Sequence, residues 1–289
     1  MDETIRVVTD SSCDLPPELL REYGIAVVPL IVNFGMQSYH DGALSVEQFW
    51  EKAAQGHLPN TSQPSVGMFE EVFGRLVTGG NRVLCVTITG KHSGTFNAAC
   101  VAAQRFGAAV TVFDSLSLSL GLGLQALQAA QAAQKGRSMR EILDLLEDLR
   151  ARSGLLIVLD TLEYLRHGGR ADAFMAVADR MTQALNIKVV INLVEGQLKL
   201  LGAARSFEGA LKRVQNLVAE MGPLEHLAVV HTRNHDMAER VVERLATRAH
   251  FPKDHVWMRE TGAVLASHAG PGVIGVLAVP AAGSGKTAD

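Results

Sequence analysis

RVLCVTITGKHSGTFNAACVAAQRFGAAVTVFDS, residues 82–115, reads as strand, loop, helix and strand in turn. Arg82 to Thr89 is a nearly unbroken apolar run, the pattern of a strand covered on both faces. After the glycine-containing turn a helix is expected from about Thr95 to Phe106, with Ser93 and Thr95 at its N-terminus. Ala109 to Phe113 gives the next strand, ended by Asp114 and Ser115. A helix between two such strands is the crossover that parallel pairing requires.

The same alternation extends outward. Ile5 to Thr9 is a short strand, and Pro16-Pro17 opens a helix in the first-turn position that proline prefers. Ala26 to Phe34 reads as one strand, and Ser45-Val46-Glu47-Gln48 as a capping box. Pro64 marks a further helix start, which leaves Thr61 to Gln63 in the loop before it. Two helices follow Ser115, the second entered through the capping box Ser138-Met139-Arg140-Glu141. Residues 1–152 are therefore expected to form an α/β domain on a parallel sheet.

From Gly154 the order changes. Ile187 to Val194 and Gln197 to Ala203 are strands separated by Glu195-Gly196, a hairpin signal. Helices at about Ser206 to Glu220 and Asp236 to Ala249 flank a strand at Leu227 to His231, and strands at Val256 to Arg259 and Val273 to Val279 complete the pattern. Residues 153–280 read as a second α/β domain with a mixed or antiparallel sheet, and 281–289 as a flexible polar tail.

Four hydroxyl-rich segments stand where the chain enters a helix: Thr9-Asp10-Ser11-Ser12, Thr61-Ser62-Gln63-Pro64-Ser65, Ser93-Gly94-Thr95 and Asp114-Ser115. Each alone is an ordinary helix cap. Strand-to-helix loops of a parallel sheet gather along one edge, so together they are expected to line one crevice with neutral O–H and N–H donors. Such a lining suits a carboxyl-bearing ligand better than a metal. Asp10, Asp14, Asp41 and Asp114 match no metal-binding spacing.

The 289 residues carry a formal net charge of −3, and the 27 basic residues form no run, so no nucleic-acid footprint is visible. Only 5% of residues are aromatic and 47% are hydrophobic, which favours aliphatic over base-stacking cavities. Three cysteines without close spacing argue against a disulfide framework or zinc site and fit a reducing cytoplasm. Met1-Asp2-Glu3-Thr4 is acidic where a signal peptide needs base. The uncharged stretch Ser115 to Gln134 contains Ser, Gly and Gln, which marks a buried or amphipathic helix and not a membrane span.

Two familiar motifs fail in context. Gly270-Pro271-Gly272-Val273-Ile274-Gly275 has the letters of a dinucleotide fingerprint but precedes a strand. Gly283-Ser284-Gly285-Lys286-Thr287 resembles a phosphate loop, yet Pro280 replaces its first glycine and two residues follow Thr287. Ser93 and His268 could form a nucleophile and base acting on an acyl substrate, but no G-x-S-x-G elbow is present. His268 stands two residues before the first glycine of a proline-stiffened turn that would hold its imidazole in a fixed direction, and spacing alone reads it as a solvated loop histidine. Leu162 to Arg170 reads locally as a helix stop with basic residues at its C-terminus.

Taken in order, Thr9-Asp10-Ser11, Thr61-Ser62-Gln63-Pro64-Ser65, Ser93-Gly94-Thr95-Phe96-Asn97, Asp114-Ser115, Leu165-Arg166-His167-Gly168-Gly169-Arg170 and His268-Ala269-Gly270-Pro271-Gly272 resemble the DegV family of bacterial fatty-acid-binding proteins. The resemblance implies two α/β domains and a long-chain fatty acid in a tunnel between them, with no cofactor. It implies carboxyl contacts at Thr61 and Ser93 with His268 nearby, supported by Thr9, Asp10, Ser11, Ser62, Gly94, Thr95, Asn97, Gly270 and Gly272.

In bacterial fatty acid kinase, such a protein presents the carboxylate to a separate ATP-using subunit for lipid synthesis and catalyses nothing itself. Arg170 and Arg205 would then face the partner. The chain departs from the family pattern at Val189, usually proline, and at Ser206-Phe207-Glu208-Gly209, where further basic residues are usual. The thinner basic patch bears on docking to a kinase, not on fatty-acid binding. A lipid carrier or sensor without a kinase is the other role the resemblance allows.

Overall fold

A computed structural model of the chain describes residues 4–56, 58–169 and 187–283. Arg170 and residues 284–289 lie outside them. The contacts divide the chain into two units, Met1–Ala151 with Gly262–Val264, and Arg152–Thr261 with Leu265–Asp289.

The first unit is built on a four-stranded parallel sheet. Its strands are β1 (Ile5–Asp10), β2 (Ala26–Val28), β6 (Arg82–Thr87) and β7 (Val110–Asp114), in the order β2-β1-β6-β7. Helices α3 (Val66–Thr78) and α4 (Thr95–Gln104) cover one face. There Phe69 and Phe73 pack on Val8, Val83 and Cys85, while Ala98, Ala99 and Ala102 keep α4 close to the strands. Helix α5 (Ser119–Gln134) packs on β1 and β6 and is buried along most of its length. This explains the uncharged stretch after Ser115 as a core helix.

Strand order runs outward from β1 to β2, then restarts at β6 and runs the other way. The junction of β1 and β6 is thus the topological switch point, where the loops leaving the C-terminal ends of two neighbouring strands diverge and open a crevice.

The expected strand Ala26 to Phe34 is two strands. Pro29 has no N–H to donate, so the ladder stops at Val28. Beyond it β3 (Ile31–Phe34) joins a separate antiparallel sheet with β4 (Gln37–His40) and β5 (Asn60–Ser62). Helix α2 (Val46–Ala54) begins at the Ser45–Gln48 capping box, with both reciprocal bonds present. Helix α1 spans Pro17–Glu22, and α6, Met139–Arg152, starts at Ser138, whose amide donates to Glu141.

The second unit is a six-stranded mixed sheet. Strands β8 (Gly154–Leu159), β9 (Lys188–Val194), β10 (Gln197–Ala204), β11 (Leu224–His231), β12 (Trp257–Glu260) and β13 (Ile274–Pro280) lie in the order β10-β9-β8-β13-β11-β12. All neighbours are antiparallel except β11 and β12. The β9–β10 hairpin turns through Glu195 and Gly196 at φ 50° and 77°, the positive pair that matches strand twist. Helices α8 (Phe207–Glu220) and α9 (His235–Arg248) bury Leu211, Val214, Val241 and Leu245 against one face. Helix α7 (Glu163–Gly168) sets Leu162 and Leu165 into a smaller cluster with Val189, Ile191 and Val273. The short helix α10 (Ala263–Ala269) connects β12 to β13.

Candidate ligand-binding site

At the switch point, Asp10 ends β1 and is fully buried. One carboxyl oxygen accepts from the Ser12 amide at 3.0 Å and the Ser12 hydroxyl at 2.5 Å. The other accepts from the Ile88 amide at 2.7 Å, just beyond β6. Asp10 therefore ties together the two loops that diverge there. Thr9 sits within β1, its hydroxyl sealed in the core with no partner among the described residues. The neighbouring Ser11 hydroxyl accepts from the Leu30 amide at 3.0 Å and bonds Asp41.

Burial pushes the Asp10 carboxyl up to about 6, against the lowering effect of its Ser12 and Ile88 donors, with nearby Asp14 adding to the rise. Because this value lies above the unfolded one, near 3.8, the native state binds the extra proton between them. Stability from Asp10 is present below the unfolded value and is lost as pH rises through about 6. Relative to Asp10→Asn, the parent should gain about 2 kcal/mol as pH falls from 7 to 4. Chemical denaturation at both pH values measures this; a constant difference would show that Asp10 titrates normally.

The second loop holds Ser93, Gly94 and Thr95. The Ser93 and Thr95 hydroxyls lie 2.8 Å apart, and the Thr95 amide donates to Ser93 Oγ at 3.3 Å. Ser93 is half-buried and Asn97 exposed on the first turn of α4. A Cβ on Gly94 would stand 1.6 Å from Gln63 Oε1, so the missing side chain is what lets Gln63 lie over this loop. Gln63 thus brings the third hydroxyl segment beside the second. Thr61 is in strand β5, paired with Val32, and not in the expected loop. Ser62 accepts from Asn33 Nδ2 at 3.1 Å, which fastens β5 to β3. Ser65 caps α3.

The fourth segment closes the same edge. Asp114 accepts the amides of Gly90 and Leu116 at 3.1 and 2.9 Å, and the Ser115 amide donates to the Thr87 carbonyl. Six non-glycine residues among those described have a left-handed φ, and Asp14, Leu116 and Ser119 are three of them. Such backbone costs free energy and clusters where function requires a fixed shape. Ser119 Oγ donates to Asp14 Oδ2 at 2.5 Å, joining the loops after β1 and β7. Among the described residues, no His, Cys, Asp or Glu side chains group to hold a metal.

In the second unit two motifs distant in sequence meet. His268 is in the last turn of α10, not in a solvated loop, and its ring lies against Gly168 of α7, where an added Cβ would sit 2.2 Å from Nδ1. Gly270 and Gly272 have φ of 74° and 81° and face Tyr164 and Asp160. The Gly270 carbonyl accepts from Thr232 Oγ1 at 2.6 Å, and the Gly272 carbonyl accepts from Asn234 Nδ2 at 3.2 Å. Close packing and positive φ together exclude larger residues here. Arg205 is exposed between β10 and α8. The sequence marked the segment that contains Tyr164 and Gly168 but not its packing against His268 and Gly270, which only the folded partner reveals.

A two-unit α/β protein with hydroxyl-bearing loops at a parallel-sheet switch point defines the class. The DegV family model matches residues 4–281, and the chain belongs to that family. A DegV domain-containing protein from Deinococcus radiodurans is 36% identical, over 96% of this chain and 99% of the relative. A solved DegV family protein from Thermus thermophilus, described as fatty acid binding, is 32% identical with a TM-score of 0.88, over 96% and 99% of the two chains. A stearic acid-binding protein from Eubacterium ventriosum is 26% identical with a TM-score of 0.83, over 96% and 98%.

Proposed function

We propose that this chain binds a long-chain fatty acid, buries its acyl tail and holds its carboxyl with Thr61 and Ser93, assisted by His268. The observation that carries the reading is the likeness to the Thermus protein along nearly the whole chain. The donor chemistry supports it. Ser93 and Thr95 share one hydrogen bond between them, so a carboxylate can receive the remaining hydroxyl proton.

Affinity comes from the tail. About 15 methylenes at about 0.8 kcal/mol each offer on the order of 12 kcal/mol before ordering costs. Neutral hydroxyls can then orient the head group without the bidentate charge pairing of arginine, leaving a carboxylate oxygen free to attack phosphorus. In this reading the protein has no catalysis of its own. In the cytoplasm it presents the acid to a separate ATP-dependent kinase subunit, and Arg205 and Arg170 border the docking surface.

Replacing both Thr61 and Ser93 with Ala is expected to weaken palmitate binding by about 1 to 3 kcal/mol per lost charged hydrogen bond. Calorimetry with the parent and double variant tests this. Parental affinity in the double variant would move the carboxyl site elsewhere.

A further inference from the structure

Helices α8 and α9 lie side by side on the sheet of the second unit, with Leu211 and Val214 of one and Val241 and Leu245 of the other buried in the core. Glu208, Lys212 and Gln215 recur at four- and three-residue steps on α8, and Arg244 and Arg248 at a four-residue step on α9, so each set shares a helix face. With Glu243 they line a groove of about 620 Å³ along the seam between the two helices. It lies wholly within the second unit. Every side chain lining it is polar or charged, which makes it unfit for an acyl tail.

Charge in the groove is uneven. Arg244 Nη1 lies 2.6 Å from Glu208 Oε2, and Lys253 Nζ lies 2.8 Å from Glu243 Oε1, so both carboxylates are neutralised. Lys212 and Arg248 have no carboxylate partner among the described residues, and Arg248 Nη1 donates instead to Asn216 Oδ1 at 2.5 Å. Two cations are thus left for an anion. Gln215 is the buried member of the lining, 4% exposed, and its Nε2 is sealed from solvent without an acceptor among the described residues. A buried amide that donates to nothing is costly and rare in native proteins. The terminal torsion of glutamine is broad and roughly two-fold, so a turn of the amide offers its N–H groups to a ligand in the groove.

We propose that this groove is a second ligand site, which binds a phosphomonoester of a polyhydroxy compound: Lys212, Arg248 and the Gln215 amide hold the phosphate, and Glu208 and Glu243 accept from hydroxyls. Two cations and an amide match the two charges and three terminal oxygens of such a phosphate, whereas a carboxylate brings one charge and two oxygens. A bare phosphate would fill only a small part of the groove. The remaining volume has walls that can hydrogen-bond but bury no apolar surface, so the body of the ligand must be polar.

The test is calorimetric titration of the full-length protein with glucose 6-phosphate, with inorganic phosphate and glucose as parallel titrants. Glucose 6-phosphate should bind with a Kd of about 1 mM or tighter. Inorganic phosphate should compete with it more weakly, and glucose should not bind measurably. Combining Lys212→Glu with Arg248→Glu, both exposed positions, should abolish binding of the phosphate ester and leave palmitate affinity at the parental value. Gln215→Met, which keeps the volume and removes the amide, should weaken the ester about tenfold. If Gln215→Met does not fold, the double surface variant still decides. No heat with glucose 6-phosphate up to about 10 mM, or parental binding in the double variant, would overturn the proposal. Inorganic phosphate binding as tightly as the ester would refute the role given to Glu208 and Glu243.

Discussion

Palmitate is expected to bind at least a hundredfold more tightly than octanoate. The two acids share a carboxyl, so the head-group hydroxyls contribute equally and cancel. They differ by about eight methylenes, worth about 6 kcal/mol if all are buried, or roughly four orders of magnitude in affinity. Ordering a longer chain takes back part of that gain, which sets the lower figure. A calorimetric or displacement series with intermediate lengths should rise steadily until the cavity is filled. A flat series would mean that the tail stays in water, and the proposed division between a binding tail and a presented head would fail.

Replacing Gly123 with Ala should destabilise the protein by about 3 kcal/mol or more, even though alanine is the better helix former by about 1 kcal/mol. The added Cβ would stand 2.3 Å from the Cys13 carbonyl oxygen and 2.9 Å from Leu15 Cγ. Neither neighbour can retreat cheaply. Cys13 follows Ser12, which is bonded to buried Asp10, and precedes Asp14, which is bonded to Ser119 at the start of α5 itself. The steric term therefore exceeds the helix-propensity term. Chemical denaturation measures the loss, and a neutral or stabilising result would show that α5 does not approach the Ser11–Cys13 turn this closely. The same substitution should disturb Ser11 and hence its bond to Asp41.

Much of the architecture was legible because it repeats locally. The stretch from Arg82 to Asp114 alternates strand and helix, and Glu195-Gly196 forms the hairpin that its residue types require. What escaped was determined by partners far away in the chain. Asn60-Thr61-Ser62 has no apolar signal for a strand and becomes one through Ile31, Val32 and Asn33. Pro29, read as part of one strand, divides two sheets because it cannot donate to a ladder.

The site was legible in the same uneven way. Hydroxyl segments at strand ends pointed to the switch-point edge, and the loops carrying Asp10, Ser93 and Asp114 do stand there. Asp14 and Asp41 matched no motif because neither meets a neighbour in sequence; they meet the amides of Gly262 and Val264. His268 looked like a loop residue ahead of Gly270-Pro271-Gly272, but it closes a helix that these glycines follow. Gly168 and Gly123 are required by atoms approaching from elsewhere, which composition and spacing do not encode.

The most direct test of the central claim is organic extraction and mass spectrometry of the purified protein, quantified against protein concentration. The account predicts about one intact long-chain fatty acid per chain, exchangeable for added palmitate. Protein that carries no fatty acid and takes up none when palmitate is supplied would contradict it.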